Sequence, residues 1–172
     1  AGQGTIGIEI LESLPGVTTI VVPIGGGGVM SGIAIAAKAL NPDVRIIGVQ
    51  SANVSWVKPS LAEGRPVVPT TKPTIADGIA VKTPGELTLP IIRQYVDDIV
   101  EVDDEQIAEA IFHSVQNNRL VVEGAGAAGL AAVLAGKIAI APDDCVCVVL
   151  CGGNIDANLL SRVLEHVLVR QG

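Results

Sequence analysis

Residues 19–32 read TIVVPIGGGGVMSG: an apolar run broken only by Pro23, four consecutive glycines, then small and apolar residues. Glycine loses more backbone entropy on folding than any other residue, so four together require a compensating reason. Glycines between a buried strand and a helix place free backbone N–H groups and a helix N-terminus at one spot, a ready anion site. Two familiar phosphate motifs fail on the residues. A P-loop needs Gly-Lys-Ser/Thr at the helix start, and Gly28 is followed by Val29 and Met30. A dinucleotide fingerprint needs GxGxxG, and the windows from Gly25 and Gly26 end in Met30 and Ser31; the next strand closes on Gln50 where an acid is wanted. What remains is a cofactor whose phosphate is held mainly by backbone, with no lysine in the loop.

Outward from this stretch, strands and helices alternate. The β-branched run within Gly16–Ile24 reads as a buried strand, Val29–Leu40 as a helix stopped by Asn41-Pro42, and Val44–Val49 as the next strand. Residues Ser51–Lys72 read as a short helix and loops, Leu87–Tyr95 as a helix and Asp98–Val102 as a short strand. Asp103 or Asp104 caps a helix to Asn118, with Ile107, Ala108, Ile111, Phe112 and Val115 on its apolar face. A helix over Ala127–Ile140, a strand over Cys145–Leu150 and a last helix over Ile155–Arg170 follow; the last is expected to bury Leu159, Leu160, Val163, Leu164, Val167 and Leu168. Short connections between alternating elements predict an α/β fold: three layers, a mostly parallel open sheet with helices on both faces. About four strands are legible, few for such a sheet.

The composition bounds the function. Aromatics are limited to Trp56, Tyr95 and Phe112, so the core is Val, Ile, Leu and Ala, as in a sheet buried under helices. A net charge of −7 argues against a nucleic-acid partner. Val17–Ala37 lacks charge, but Pro23 and five glycines make it strand, turn and helix, not a membrane span. Cys145, Cys147 and Cys151 have no metal-ligand spacing with His113 or His166; Cys145 and Cys147, two apart on a strand, read as small core residues. Both histidines read as surface or boundary residues. An odd cysteine count without a framework fits a reducing cytoplasm.

VVPIGGGGVMSGIA, TIADGIAV, VVEGAGAAGLAA and VVLCGGNID, in that order, together with the opening AGQGTIGIEIL, resemble the serine/threonine dehydratases. These are pyridoxal-phosphate enzymes of the tryptophan-synthase β type, a group that includes serine racemase. The resemblance covers the whole chain. It implies pyridoxal 5'-phosphate as cofactor, cradled by Gly25, Gly26, Gly27 and Gly28 with Val29 at the helix start. It implies that Cys151, first residue of the CGGN turn, faces the pyridine nitrogen. A neutral thiol, with an unperturbed pKa of about 8.5, does not force ring protonation as a carboxylate would, which favours β-elimination over transamination. Glu123, at a helix start where an acid gains about 0.3–1 kcal/mol from the dipole, is implied to lie near the ring face. Gly78, in TIADG beside Asp77, is implied to line the substrate side.

The same family uses a lysine that forms a Schiff base with the cofactor, in an upstream motif, followed by a loop that grips the substrate carboxylate. Neither motif occurs here, and Lys38, Lys58, Lys72, Lys82 and Lys137 lack that context; Lys38 and Lys137 read as solvated cations late in helices. No residue of this chain is therefore assigned as catalytic. The expectation is a single segment over residues 1–172, most of the large cofactor-binding domain, with the first strands, the small domain and any regulatory domain outside it. The parent enzyme is expected to be cytoplasmic, to act on a small amino-acid substrate, L-threonine or L-serine, releasing a 2-oxo acid and ammonia, and to form a homo-oligomer; the segment alone is expected to be inactive. Alternatives are a serine racemase-like enzyme, another amino-acid β-eliminase, or a non-catalytic phosphate- or nucleotide-binding domain. Racemase-like relatives carry acids for a divalent cation where this chain has Gln50 and Trp56, so no metal site is expected there.

Overall fold

The computed structural model describes residues 2–81 and 85–172. Strands β1 (Thr19–Pro23), β2 (Arg45–Ser51), β3 (Asp98–Val102) and β4 (Val146–Val148) form one parallel sheet in the order β3-β2-β1-β4. Ile20 pairs with Ile46 and Cys147, and Gly48 with Ile99, so β1 is clamped on both sides and every one of its residues is buried. Alternation along the strands divides the core in two. Ile20, Val22 and Ile46 face Met30, Ile33 and Ala37 of helix α2 (Gly28–Leu40), Val57 of α3 (Val57–Glu63) and Ile92 of α4 (Thr88–Tyr95). Val21, Ile47, Val49 and Val100 face Ile107 and Ile111 of α5 (Asp104–His113), Ala128 and Ala131 of α6 (Gly124–Leu134), and Val163 and Val167 of α7 (Ala157–Gln171). These are the three layers read from the sequence.

Several elements differ from the sequence reading. Residues Gly4–Ser13 form a helix, α1, that packs on α2, although the sequence reading assigned nothing there. Its β-branched residues and two glycines disguise it, yet Ile6, Ile10 and Leu11 reach the core at helical spacing. Gly7 permits the contact: a Cβ there would stand 2.9 Å from the Ile33 carbonyl oxygen. Helix α5 ends at His113 and continues as one π turn over Ser114–Asn118, closed by Arg119 in the left-handed region. Its start is a capping box in which Asp103 and Gln106 bond each other's backbone N–H.

Helix α6 starts at Gly124, three residues earlier than read, and stops at Leu134, because Gly136 turns the chain at φ +65. Lys137 therefore lies beyond the helix, and Lys38 is not a free cation: its Nζ is 2.9 Å from Asp97. Lys82 lies outside the described residues. The Cys145–Leu150 strand shortens to Val146–Val148 and is half-buried throughout, since β4 is a sheet edge with a neighbour on one side only. Cys145 and Cys147 are accordingly half-buried rather than core. Among the described residues of α7, Val163 and Val167 are buried, while Leu168 is exposed. Of the two histidines, His113 is half-buried and His166 is exposed beside Glu105, at 2.8 Å. Among the described residues no helix is long and apolar enough to cross a membrane.

Candidate functional site

In open α/β sheets, ligands bind beyond the carboxyl ends of the strands. Here β1 ends at Pro23, and the chain turns through Gly25–Gly28 into α2. A cleft of about 190 Å³ opens at that end. Gly25, Gly26, Gly27, Gly28 and Val29 form one wall, Gly78 and Ile79 a second, and Glu123, Ala125 and Cys151 the third. Four separate segments of the chain are thereby brought to one place.

The glycine wall suits an anion. Helix α2 has no side-chain cap and no acid in its first turn, and its first intrahelical bond is from the Ser31 N–H to the Gly27 carbonyl. The N–H groups of Gly28, Val29 and Met30 are the orphan donors of a helix start. Gly27 sits at φ +86, a conformation that favours glycine, and a Cβ there would stand 2.6 Å from Thr88 Oγ1. Gly26 and Gly28 are different: a Cβ on either would meet no protein atom within 4 Å. Packing of the protein does not account for glycine at those two positions, and both line the cleft.

Helix α6 gathers the opposite walls. A Cβ on Gly124 would overlap the Ile75 carbonyl oxygen, and one on Gly126 would overlap the Cys151 carbonyl oxygen. Backbone thus meets backbone at both the TIADG segment and the CGGN turn. Glu123, the N-cap residue, does not cap α6 with its side chain. Its N–H donates to the Gly152 carbonyl (3.1 Å), and its Oε2 accepts the Asn154 N–H (3.0 Å). Its carboxylate lies against Gly78 as well, with Oε1 3.1 Å from where a Cβ on Gly78 would be. Besides any dipole contribution, this acid ties the CGGN turn to the start of α6.

Burial pushes the Cys151 thiol above the usual range, and the nearby Glu123 carboxylate pushes it further. The thiol is therefore protonated at neutral pH, a hydrogen-bond donor and a poor nucleophile. Alkylation of Cys151 by iodoacetamide is expected to stay slow at neutral pH and to accelerate only above the range of an ordinary thiol, read by peptide mass at successive pH values. Rapid labelling at pH 7 would contradict this.

Two supporting residues escaped the sequence reading. The Trp56 indole N–H donates to the Gly25 carbonyl (2.8 Å), and the Thr88 hydroxyl donates to the Gly26 carbonyl (2.7 Å). A lone tryptophan among loops was the only signal for the first; Thr88 carried none. Gln50 and Trp56, at the positions where acids were sought, are fully buried, and Gln50 Oε1 accepts the N–H groups of Trp56 (3.2 Å) and Val57 (2.9 Å).

The family model described as pyridoxal-phosphate dependent enzyme matches residues 1–152. The chain belongs to that family. Among relatives of this pyridoxal-phosphate family, the L-threonine ammonia-lyase of Thermotoga maritima is 49% identical over 172 residues, all of this chain and 42% of that protein. A solved maize serine racemase superposes with a TM-score of 0.86 at 37% identity, over 99% of this chain and 53% of the racemase. The processed form of threonine deaminase isoform 2 from Solanum lycopersicum superposes with a TM-score of 0.87 at 33% identity, over 95% of this chain and 48% of that one. The chain thus spans about half the length of the relatives it matches.

Proposed function

We propose that these residues form the phosphate- and ring-holding part of a pyridoxal-phosphate-dependent ammonia-lyase that deaminates L-threonine or L-serine. The observation that carries the reading is the meeting of Gly25–Gly28, Gly78, Glu123 and Cys151 around one cleft. The 49% identity to an L-threonine ammonia-lyase supports this reaction within the family.

Bound pyridoxal phosphate supplies the electron sink that loss of the substrate's α-proton requires. The chain's own residues bind and orient. The N–H groups of Gly28, Val29 and Met30, with those of Gly26 and Gly27 before them, would take the phosphate, and the open positions at Gly26 and Gly28 let it approach the backbone. Cys151 Sγ keeps its proton, and beside the pyridine nitrogen it would be a neutral donor that does not force the ring's protonation as a carboxylate would. Glu123 holds the CGGN turn to the start of α6 beside Gly78, which would face the amino-acid substrate. In the parent enzyme the substrate would lose its α-proton and β-hydroxyl as water, and the resulting enamine would be hydrolysed by water to a 2-oxo acid and ammonia. The lysine that joins the cofactor comes from outside these residues, and a cytoplasmic homo-oligomer is the setting this reading implies.

Binding is tested by melting the protein with pyridoxal phosphate and, separately, with adenine nucleotides. Stabilisation by the first alone is expected; stabilisation by the nucleotides alone would replace the reading with a nucleotide-binding domain. The reaction is tested on the full-length parent with L-threonine and L-serine, where ammonia and 2-oxo acid are expected. The similarity to maize serine racemase supports one second reading, and conversion of L-serine to D-serine without ammonia would establish it.

A further inference from the structure

We propose that Trp56 and Thr88 are positioning residues that aim the glycine loop's N–H groups into the cleft, an inference that rests on the phosphate reading above. A trans peptide is planar, so its C=O and the following N–H point in opposite directions. The Trp56 Nε1–H bond to the Gly25 carbonyl (2.8 Å) therefore fixes the direction of the Gly26 N–H. The Thr88 bond to the Gly26 carbonyl (2.7 Å) fixes the Gly27 N–H in the same way. Neither side chain lines the cleft, whereas all four glycines do. The two donors stand behind the loop and turn its carbonyls away from the anion site.

The tether behind Trp56 runs back to the sheet. Gln50 lies in β2, paired with β3 at Glu101 and one residue beyond the β1 pairing of Pro23 with Val49. Its Oε1 accepts the N–H groups of Trp56 and Val57, which seats the indole, itself fully buried, against Gly25. A four-glycine loop has little stiffness of its own. Here its orientation is set by the end of β2 acting through Trp56, and by the first residue of α4 acting through Thr88. The loop is thus organised before any phosphate arrives, which spares the ordering cost of binding.

The experiment compares pyridoxal phosphate with pyridoxal, the same ring without phosphate, by equilibrium dialysis against Trp56→Phe, Thr88→Val and Thr88→Ser, with circular dichroism to verify folding. A lost positioning bond is expected to weaken pyridoxal phosphate about three- to tenfold in Trp56→Phe and Thr88→Val, the scale of one net hydrogen bond. Pyridoxal affinity is expected to be unchanged, and Thr88→Ser to bind as the parent does. A general loss of structure would weaken both ligands alike. Should Trp56→Phe fail to fold, the Thr88 pair decides alone. Equal losses for both ligands, or no loss, in a protein that prefers pyridoxal phosphate would overturn the positioning role and leave the phosphate reading intact. A protein that binds pyridoxal as well as pyridoxal phosphate would overturn both.

Discussion

Gly26→Leu is expected to remove pyridoxal-phosphate binding while leaving the melting temperature within about 2 °C of the parent. The two halves of that expectation come from the same fact. A Cβ at Gly26 meets no protein atom within 4 Å, and its φ lies outside the left-handed region, so a side chain can leave the backbone there without strain. With no neighbouring atom to displace, the change is expected to cost no more than a surface substitution, within about 0.5 kcal/mol. Gly26 nevertheless lines the cleft of about 190 Å³, and a leucine there competes for the volume the cofactor needs. Pyridoxal-phosphate affinity is expected to fall at least about a hundredfold, the order of losing several charge-assisted bonds to the phosphate at once. The neighbouring Gly27→Ala separates the two effects. Its φ of +86 and the 2.6 Å approach of Thr88 Oγ1 predict a loss of fold stability before any question of ligand. Dialysis and a melting curve on both variants check the contrast, and a Gly26→Leu protein that still binds with parental affinity would remove the loop from the site.

The layers of the fold were legible because they rest on local pattern. The apolar run Val17–Val22, the glycines after it and the amphipathic face of α5 each declare themselves within a dozen residues. What pattern missed depends on contact across the chain. Helix α1 carries weak helix formers, and it is held by Gly7 lying on the backbone of α2, a fact no local window contains. The depth of β4 was overread because an apolar run does not reveal whether a strand has one neighbour or two. At the site the same division holds. The glycine wall follows from backbone chemistry, and the joining of Gly78, Glu123 and Cys151 to it came from resemblance of ordered motifs. Trp56 and Thr88 lie 31 and 62 residues from the carbonyls they hold, and only the folded chain brings them there. Lys38 similarly read as solvated because its partner, Asp97, is 59 residues away.

Gly126→Ala carries a large expected stability effect, and it links α6 to the Cys151 wall of the cleft. Alanine is the better helix former, and by propensity alone the change would stabilise α6 by about 1 kcal/mol. Tertiary contact reverses the sign. The new methyl would overlap the Cys151 carbonyl oxygen and stand 3.0 Å from that of Gly152, both backbone atoms without a rotamer to yield. Either α6 lifts from the sheet, exposing Ala127, Ala128 and Ala131 of the core, or the CGGN turn moves outward. Overpacking of this kind costs about 1–3 kcal/mol and more where backbone must shift, so a net loss of about 2–4 kcal/mol is expected by denaturant melting. Displacement of the turn would also break the Glu123 bonds to Gly152 and Asn154 and carry Cys151 away from the cleft. The Cys151 thiol would then leave its buried place beside Glu123, and its alkylation midpoint is expected to fall toward that of an exposed thiol. A stable Gly126→Ala protein with unchanged Cys151 reactivity would mean that the turn and the helix are not in contact as described.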